Sequence, residues 1–473
     1  PMAVFLTLLA TEYAPASAGQ APPAAGATRY DLTKDSGALA PDETVTSACQ
    51  FCNSLCGIEV LKKAGRIIAI KGLDSDPVAM GGLCVKAPMM AELVYSPRRI
   101  KTPLKRVRGQ KGDPDSVFEP VSWDTALDAI ARKLIEIRDT TGPQGVANKT
   151  SGRLPRGTGA IIGRFFDLYG SPNATDVGPV CNDAGGNALA WTFGLGNFTN
   201  GYGVDGATGQ EDLGRSKFLL FLGTNQAETH PVTFEYLLRS RERTGATLVV
   251  VDPRRTPTSA YADQHLAIRP HTDMALAYGM LAHILEKELY DKAFVEQWVL
   301  GFDELRTHVR AQGFTPEWAE TVTTIPAATI RQVAERYATS RPAAIFCNAG
   351  ISHQANAFHT YRALAFLAAL TGNIGQPGGG CNFMHNTWPG GLNLPAIQGA
   401  VPRKEVALPV GPDWFATSIL ESKPYPLRAV FMEGNPIVDS ANSTRVRKAY
   451  AQLEFMVYPG LFMEEPAYYA DYI

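Results

Sequence analysis

Four cysteines set the strongest limit on what this chain can fold into. Cys49, Cys52 and Cys56 stand in the run Cys-Gln-Phe-Cys-Asn-Ser-Leu-Cys, and Cys84 follows after 27 intervening residues. Thiolates this close in sequence converge on one point when they bind a metal or an iron–sulfur cluster. Structural zinc more often takes two C-x2-C pairs, each forming its own knuckle. Three cysteines in one tight turn with a distant fourth better suit a cubane, one loop supplying three corners. Gly57, Gly81 and Gly82 let backbone lie against such ligands, and a basic residue, Lys86, trails the last of them. The spacing favours a [4Fe–4S] cluster over zinc or a disulfide pair.

The rest of the chain is far too large for a ferredoxin. A length of 473 residues suggests two to four domains, and 45% hydrophobic with 19% charged residues fits an ordinary globular chain with ample core. The 44 basic and 46 acidic residues leave a net charge of −2, no electrostatic reason to expect nucleic acid or an acidic membrane surface. No apolar run reaches the length needed to cross a bilayer. Seven cysteines, four of them in one motif, are not a disulfide framework.

At the N-terminus an apolar run, Ala3 to Ala10, precedes sequence rich in Ala, Pro, Ser and Gly through Ala27. Ala16-Ser-Ala18 resembles an A-x-A cleavage site, so the segment is expected to be the tail of an export signal. The plainer alternative is a short apolar tail and a flexible linker. Export would bring the protein to the periplasm or the outer face of the cytoplasmic membrane. At the other end, Tyr468 to Ile473 reads as a strand.

Between the ends the pattern is α/β. Ser122 can cap a helix through Arg138, with Leu127, Ile130, Leu134 and Ile137 on one face. Phe218 to Leu222 and Leu248 to Val251 read as buried parallel strands, with helix-like sequence from Val232 to Arg243 between them. Residues 343–346, 429–432 and 455–458 look like further strands, with helices near 274–287, 357–370 and 443–452. Strands alternating with helices imply parallel sheets covered on both faces, where ligands bind beyond the carboxyl ends of the strands.

Polar clusters stand at those ends. Gly223-Thr-Asn225 follows one strand, and Asp252-Pro-Arg-Arg255-Thr256 follows the next, with Arg269-Pro-His-Thr-Asp273 beyond. An acidic residue at a strand end, 29 residues after a glycine turn, suits a nucleotide's base or ribose. Asparagine and threonine can donate to phosphate, and arginine can pair with it bidentately. There is no G-x-G-x-x-G, so the usual NAD fingerprint is absent. Singly, each cluster could be plain turn chemistry; their order favours a nucleotide site.

From Ala48 onward the chain resembles the molybdenum/tungsten bis(pterin guanine dinucleotide) oxidoreductases, the dimethyl sulfoxide reductase family. The motifs that carry the resemblance are the cysteine cluster with Lys86, Phe221-Leu-Gly-Thr-Asn-Gln-Ala-Glu-Thr-His-Pro231, Val251-Asp-Pro-Arg-Arg-Thr256 and Ala262-Asp263. Arg269-Pro-His-Thr-Asp273, Leu370-Thr-Gly-Asn-Ile-Gly-Gln-Pro-Gly-Gly-Gly380, Glu433-Gly-Asn-Pro436 and Tyr469-Ala-Asp471 complete them.

The resemblance implies a [4Fe–4S] domain over 41–105 after a 1–40 signal remnant or linker. It further implies one α/β domain from 106–175 plus 340–473 and a Rossmann-like α/β domain over 176–339, each binding one pterin dinucleotide. Asn225, Asp252, Arg254 and Asp273, after Gly223, would hold one guanosine and its phosphates; Gly350, Ser352 and His353, with Gly434 and Asn435, would approach the other. Lys86 would lie between cluster and pterin, favouring the reduced cluster. His271 stands where the family commonly has glycine. Cys181, in Gly178-Pro-Val-Cys-Asn-Asp-Ala-Gly-Gly186, would be the metal's protein ligand, the alternative being a buried core thiol. Cys347 and Cys381 read as structural thiols.

A cysteine ligand points away from the serine- and aspartate-ligated branches, and Asn182 replaces the histidine of formate dehydrogenases. The nearest branch is the polysulfide, thiosulfate, tetrathionate and arsenate reductases; periplasmic nitrate reductases also use cysteine. His230, His353, His359 and Arg153 are candidate substrate-side groups, although a lone histidine is more often structural. The family's usual partners are an iron–sulfur subunit and a membrane quinone-reactive subunit. A reading from another class is a metal-free scaffold of a respiratory complex, opposed by Cys181, Lys86 and the nucleotide clusters. Members normally continue past Tyr469-Ala-Asp471 into a C-terminal β-barrel-like domain, so the chain is expected to be a fragment or half of a split enzyme, with incomplete cofactor retention.

Overall fold

The computed structural model describes residues 40–52, 54–149, 156–175, 178–194, 213–383, 414–440 and 442–473. The first unit is a small antiparallel sheet of β1 (Glu43–Ala48), β2 (Gly57–Lys63) and β3 (Arg66–Gly72) in that order. The β2–β3 turn puts both Ala64 and Gly65 at positive φ, as a two-residue hairpin needs to match strand twist. The wider β1–β2 loop, closed by the Ala48–Gly57 pair, is the one that carries three cysteines.

A hairpin of β4 (Leu104–Arg108) and β5 (Val117–Pro120) leads into the first large helix, Trp123–Thr140, whose Ser122 side chain accepts from the Thr125 amide as the sequence predicts. Next come β6 (Val146–Lys149) and β7 (Ala174–Thr175).

The central sheet is fully parallel. Its members are β8 (Phe218–Leu222), β9 (Thr247–Val251), β10 (Gln264–Leu266), β11 (Ala343–Cys347) and β12 (Gly380–Phe383), in the order β10-β9-β8-β11-β12. Every residue of β8 and β11 is buried, which is why both read as unbroken apolar runs rather than alternating ones. Phe218, Leu220 and Leu222 face the helices Asp273–Glu286, Ala327–Thr339 and Ala357–Leu370, while Leu219 and Phe221 face Pro231–Thr244. The chain runs outward from β8 to β10, then returns to add β11 and β12 on the other side. The crevice between the carboxyl ends of β8 and β11 is therefore the topological switch point, where open α/β sheets bind ligands.

A second parallel sheet joins β13 (Ala429–Met432) and β14 (Phe455–Val457) to the earlier strands, in the order β14-β13-β6-β7. This corrects the expected partition at residue 340. β11 pairs with β8 and β12 with β11, not with the sheet that contains β6, so of the later described residues those within 414–473 return to the earlier strands. An apolar run reveals that a strand is buried on both faces but not which neighbour it pairs with. The terminal residues also depart from expectation: Glu465–Tyr469 forms a short 3-10 turn, and only Tyr472 bridges, to Lys105 and Val457. Arg106 holds this end through the Ala470 carbonyl (3.0 and 2.8 Å), and Lys111 through the Asp471 carboxylate (2.6 Å). No helix among the described residues is long and apolar enough to cross a membrane. The expected export signal lies outside the described residues.

Candidate active site

The cysteine loop is shaped by its own backbone and by one carboxylate. The Cys49 amide donates to the Cys56 carbonyl (2.8 Å), and Leu55 takes φ +48° to let the chain turn. Asp76 accepts from the Gly57 amide (2.6 Å) with one oxygen and from the Val78 and Ala79 amides (2.8 Å each) with the other. It thereby clamps the loop that delivers Cys84 onto the loop that carries the other three. Gly72 is needed for that clamp, since a Cβ there would lie 2.3 Å from the Gly81 carbonyl oxygen.

Cys49 and Cys56 are buried among Ile58, Ala79, Ala87 and Val232. Burial pushes the Cys56 thiol up to about 12, and Cys52, Cys49, Asp76 and Cys84 push the same way; burial likewise raises Cys49, with Cys52 and Cys84 adding to it. The four sulfurs thus feel one another, and only a cationic group bound among them makes four thiolates tolerable. Among the described residues no three or more His, Cys, Asp or Glu side chains are set to hold a single metal ion. The donor set fits a shared iron–sulfur cluster, and no disulfide joins any of the seven cysteines.

Lys86 leaves this loop and reaches the central domain. Its ammonium donates to the Thr229 carbonyl (3.0 Å) and more weakly to that of Glu228 (3.5 Å), and lies 5.8 Å over the Phe51 ring. Thr229 lines the cavity described next, so Lys86 spans the gap between the cysteine loop and the cavity wall.

That cavity, about 560 Å³, opens at the switch point between β8 and β11. Gly223 and Gly350, which follow those two strands, touch backbone to backbone: the Gly350 amide donates to the Gly223 carbonyl (3.0 Å). A Cβ on Gly223 would lie 2.8 Å from the Gly350 Cα, and one on Gly350 would lie 2.6 Å from the Gly223 Cα. This close approach leaves open space above for a large ligand.

Around it stand Asn225, Asp252, Arg254, Asp273, His353 and Cys181. Asp252 is oriented by the Arg254 amide (2.8 Å), and its carbonyl accepts from His265 Nε2 (2.9 Å). Asn225 is fixed by Thr258 Oγ1, which donates to it (2.8 Å), and by Glu228, to which its amide donates. Asp273 opens the helix Asp273–Glu286 and accepts from Gln354 (3.2 Å); burial is the main cause that raises its pKa.

Two expectations change here. Gly350 and His353 belong to the same cavity as Asn225, Asp252, Arg254 and Asp273, because β11 pairs beside β8. Ser352 stays outside it, bonded to the Asn348 carbonyl (3.4 Å) and the Tyr361 hydroxyl (3.0 Å). Gly434 and Asn435 lie apart from that cavity, after β13 of the second sheet, where the Asn435 side-chain oxygen is buried without a hydrogen-bond partner.

Cys181 is exposed at the end of the short helix Gly178–Cys181, on the cavity wall, unlike Cys347 and Cys381, which are fully buried in adjacent strands. Burial first, and Cys381 beside it, keep the Cys347 thiol protonated. His230 joins the wall, its Nδ1 2.8 Å from the Thr229 hydroxyl; His359 is exposed against Phe358 and does not line the cavity. Arg153 lies outside the described residues.

Thr224, within the predicted Gly223-Thr-Asn225 cluster, and Asn348, which was not singled out from sequence, both line the cavity. The Thr224 hydroxyl is buried on the cavity wall with no hydrogen-bond partner, and Asn348 caps the residues after β11 by accepting from the Ala349 amide (2.9 Å). Their position directly after a strand was the available signal. The orphaned hydroxyl, the glycine cradle, the carboxylates and Arg254 together suit the base, sugar and phosphates of a nucleotide.

Comparisons with known proteins agree with this geometry. The molybdopterin oxidoreductase family matches residues 99–473, and the molybdopterin oxidoreductase Fe4S4 domain matches residues 42–96. A probable oxidoreductase, YoaE of Bacillus subtilis, is 32% identical over 90% of this chain and 61% of its own length. Formate dehydrogenase H of Escherichia coli is 30% identical over 91% of this chain and 61% of its own. The solved acetylene hydratase from Pelobacter acetylenicus superposes with a TM-score of 0.77 at 26% identity, covering 90% of this chain and 62% of that one. The chain thus spans about three fifths of the length of these relatives. The two matches call for a [4Fe–4S] cluster and a molybdenum or tungsten pterin cofactor: the chain belongs to the molybdopterin oxidoreductase family.

Proposed function

We propose that the chain is the catalytic subunit of a molybdenum or tungsten bis(pterin guanine dinucleotide) oxidoreductase acting on a small inorganic substrate by two-electron chemistry, with electrons relayed by the [4Fe–4S] cluster. One observation carries the reading: Cys181 stands on the wall of the cavity that also gathers Asn225, Asp252, Arg254 and Asp273. When bound, the metal and its dithiolenes supply the two-electron couple. The exposed Cys181 thiolate is a soft ligand for that metal. Arg254 and Asn225 orient phosphate, while Asp252 and Asp273 accept from guanosine N–H and O–H groups. Lys86 provides a fixed cation between cluster and cofactor.

For substrate we favour polysulfide, thiosulfate, tetrathionate or arsenate, on the cysteine ligand and on Asn182 after it. Relatives named for formate dehydrogenase and assimilatory nitrate reductase keep formate and nitrate as the alternative, and a relative named acetylene hydratase adds hydration as a reaction to assay. An iron–sulfur subunit and a membrane quinone-reactive subunit would complete the electron path of an exported enzyme. The test is metal analysis of the full-length protein with a viologen-linked assay across these substrates. Cys181→Ala is expected to abolish turnover while iron content is kept. Protein lacking both molybdenum and tungsten sinks the reading in favour of a scaffold.

A further inference from the structure

Among the described residues, eight other than glycine have positive φ, and His271 is the one of them that lines the cavity. Its φ of +66° is the left-handed conformation that glycine adopts freely and a side chain with a Cβ adopts at a penalty. Its charge acts on the neighbouring Asp273 carboxylate. The imidazole is exposed, and its ring nitrogens make no hydrogen bond to any described residue. Strain held at the wall of a ligand cavity, by a ring that no described residue hydrogen-bonds, points to a partner that arrives with the ligand.

The chemistry of that partner follows from how the lining divides. Asp252 and Asp273 can only accept when ionised, and they suit the N–H and O–H groups of a guanosine. Asn225 commits one amide hydrogen to Glu228 and its oxygen to Thr258, which leaves it a single hydrogen to donate. The ring N–H of His271 is therefore, with Arg254, among the side-chain donors left to meet an anionic oxygen. It also stands two residues before Asp273, where the helix Asp273–Glu286 begins and the Ala275 and Leu276 amides donate to the Thr272 carbonyl (2.9 and 3.2 Å). The Thr272 hydroxyl instead donates to the Arg269 carbonyl (2.6 Å). The buried, partnerless Thr224 hydroxyl on the same wall adds donor capacity.

We propose that His271 is a phosphate-binding residue that this chain adds to the dinucleotide end of the cavity, donating a ring N–H to a phosphate oxygen. The inference rests on the assignment of one guanine dinucleotide to this cavity. It explains why a strained histidine occupies a position at which glycine would cost nothing.

The experiment titrates guanosine 5′-diphosphate and, separately, guanosine into cofactor-free full-length protein by calorimetry, for wild type, His271→Gly and His271→Asn. Loss of one hydrogen bond to a charged oxygen is expected to weaken the diphosphate about tenfold in His271→Gly and to leave guanosine within about twofold. The same substitution removes the backbone strain, so the thermal midpoint should rise by about 1–3 °C. A purely structural histidine would not show weaker phosphate binding together with a firmer fold. Asparagine tolerates the left-handed conformation and retains a donor, so His271→Asn should recover more than half of the lost affinity. Equal or tighter diphosphate binding in His271→Gly overturns the proposal, as does an equal loss for diphosphate and guanosine. A wild type that binds neither ligand removes the cavity assignment and the proposal with it, a failure visible before any variant is made.

Discussion

The contact between Gly223 and Gly350 permits a graded test of the cradle. Gly350→Ala would bring a Cβ 2.6 Å from the Gly223 Cα and 2.8 Å from its oxygen. Carbon pairs rest near 3.5–4.0 Å, so the overlap is about 1 Å. Both opposing atoms are backbone, so no rotamer relieves the clash, and overpacking of this kind costs about 1–3 kcal/mol. Gly223→Ala meets the same gap from the other side, 2.8 Å from the Gly350 Cα, and adds a left-handed φ of +56°. That conformation costs alanine about 1–2 kcal/mol beyond the overlap. Both substitutions gain about 0.4–1 kcal/mol from a stiffer unfolded chain, which cancels in the comparison.

The expectation is therefore that Gly223→Ala destabilises by about 1–2 kcal/mol more than Gly350→Ala. Once one methyl has parted the turns the second enters more easily, so the double variant should cost less than the sum. Urea unfolding of the cofactor-free protein, followed at the transition of the central domain, measures all three. Equal costs for the single variants, or a strictly additive double variant, would refute the reasoning.

Two further outcomes follow from the charges. Lys86→Met removes the cation that bridges the cysteine loop to the Thr229 carbonyl, so a redox titration should find the cluster's potential lower by tens of millivolts with iron content unchanged. Asp273 has a folded pKa raised chiefly by burial, so its proton is held more tightly folded than unfolded. The stability this lends is present below the unfolded value near 3.8 and is lost as pH rises through the folded one. Asp273→Asn should accordingly be more stable than wild type at neutral pH in the cofactor-free state, with the gap closing as pH falls towards 4, and should bind guanosine more weakly.

Much of the local architecture was legible because local rules decide it. Ser122 caps its helix, β8 and β13 lie where apolar runs put them, and Asp252 and Asp273 stand where a strand and a helix bring polar residues to one end. What the sequence could not show was adjacency across long loops. Gly350 and His353 looked like partners of Gly434 and Asn435, yet β11 hydrogen-bonds to β8 and delivers them beside Gly223. Thr224 belonged to a recognisable polar cluster, but only the structure shows its hydroxyl buried without a partner.

By itself, the sequence determined the α/β class and the cofactor chemistry, because thiol spacing, hydrophobic period and residue type are properties of short stretches of chain. Only the tertiary structure decided which strands share a sheet, that one cavity holds Cys181 together with both glycine turns, and that His271 is strained. Those depend on pairings between residues more than a hundred positions apart, fixed by how two buried faces of β8 find their helices and neighbouring strands.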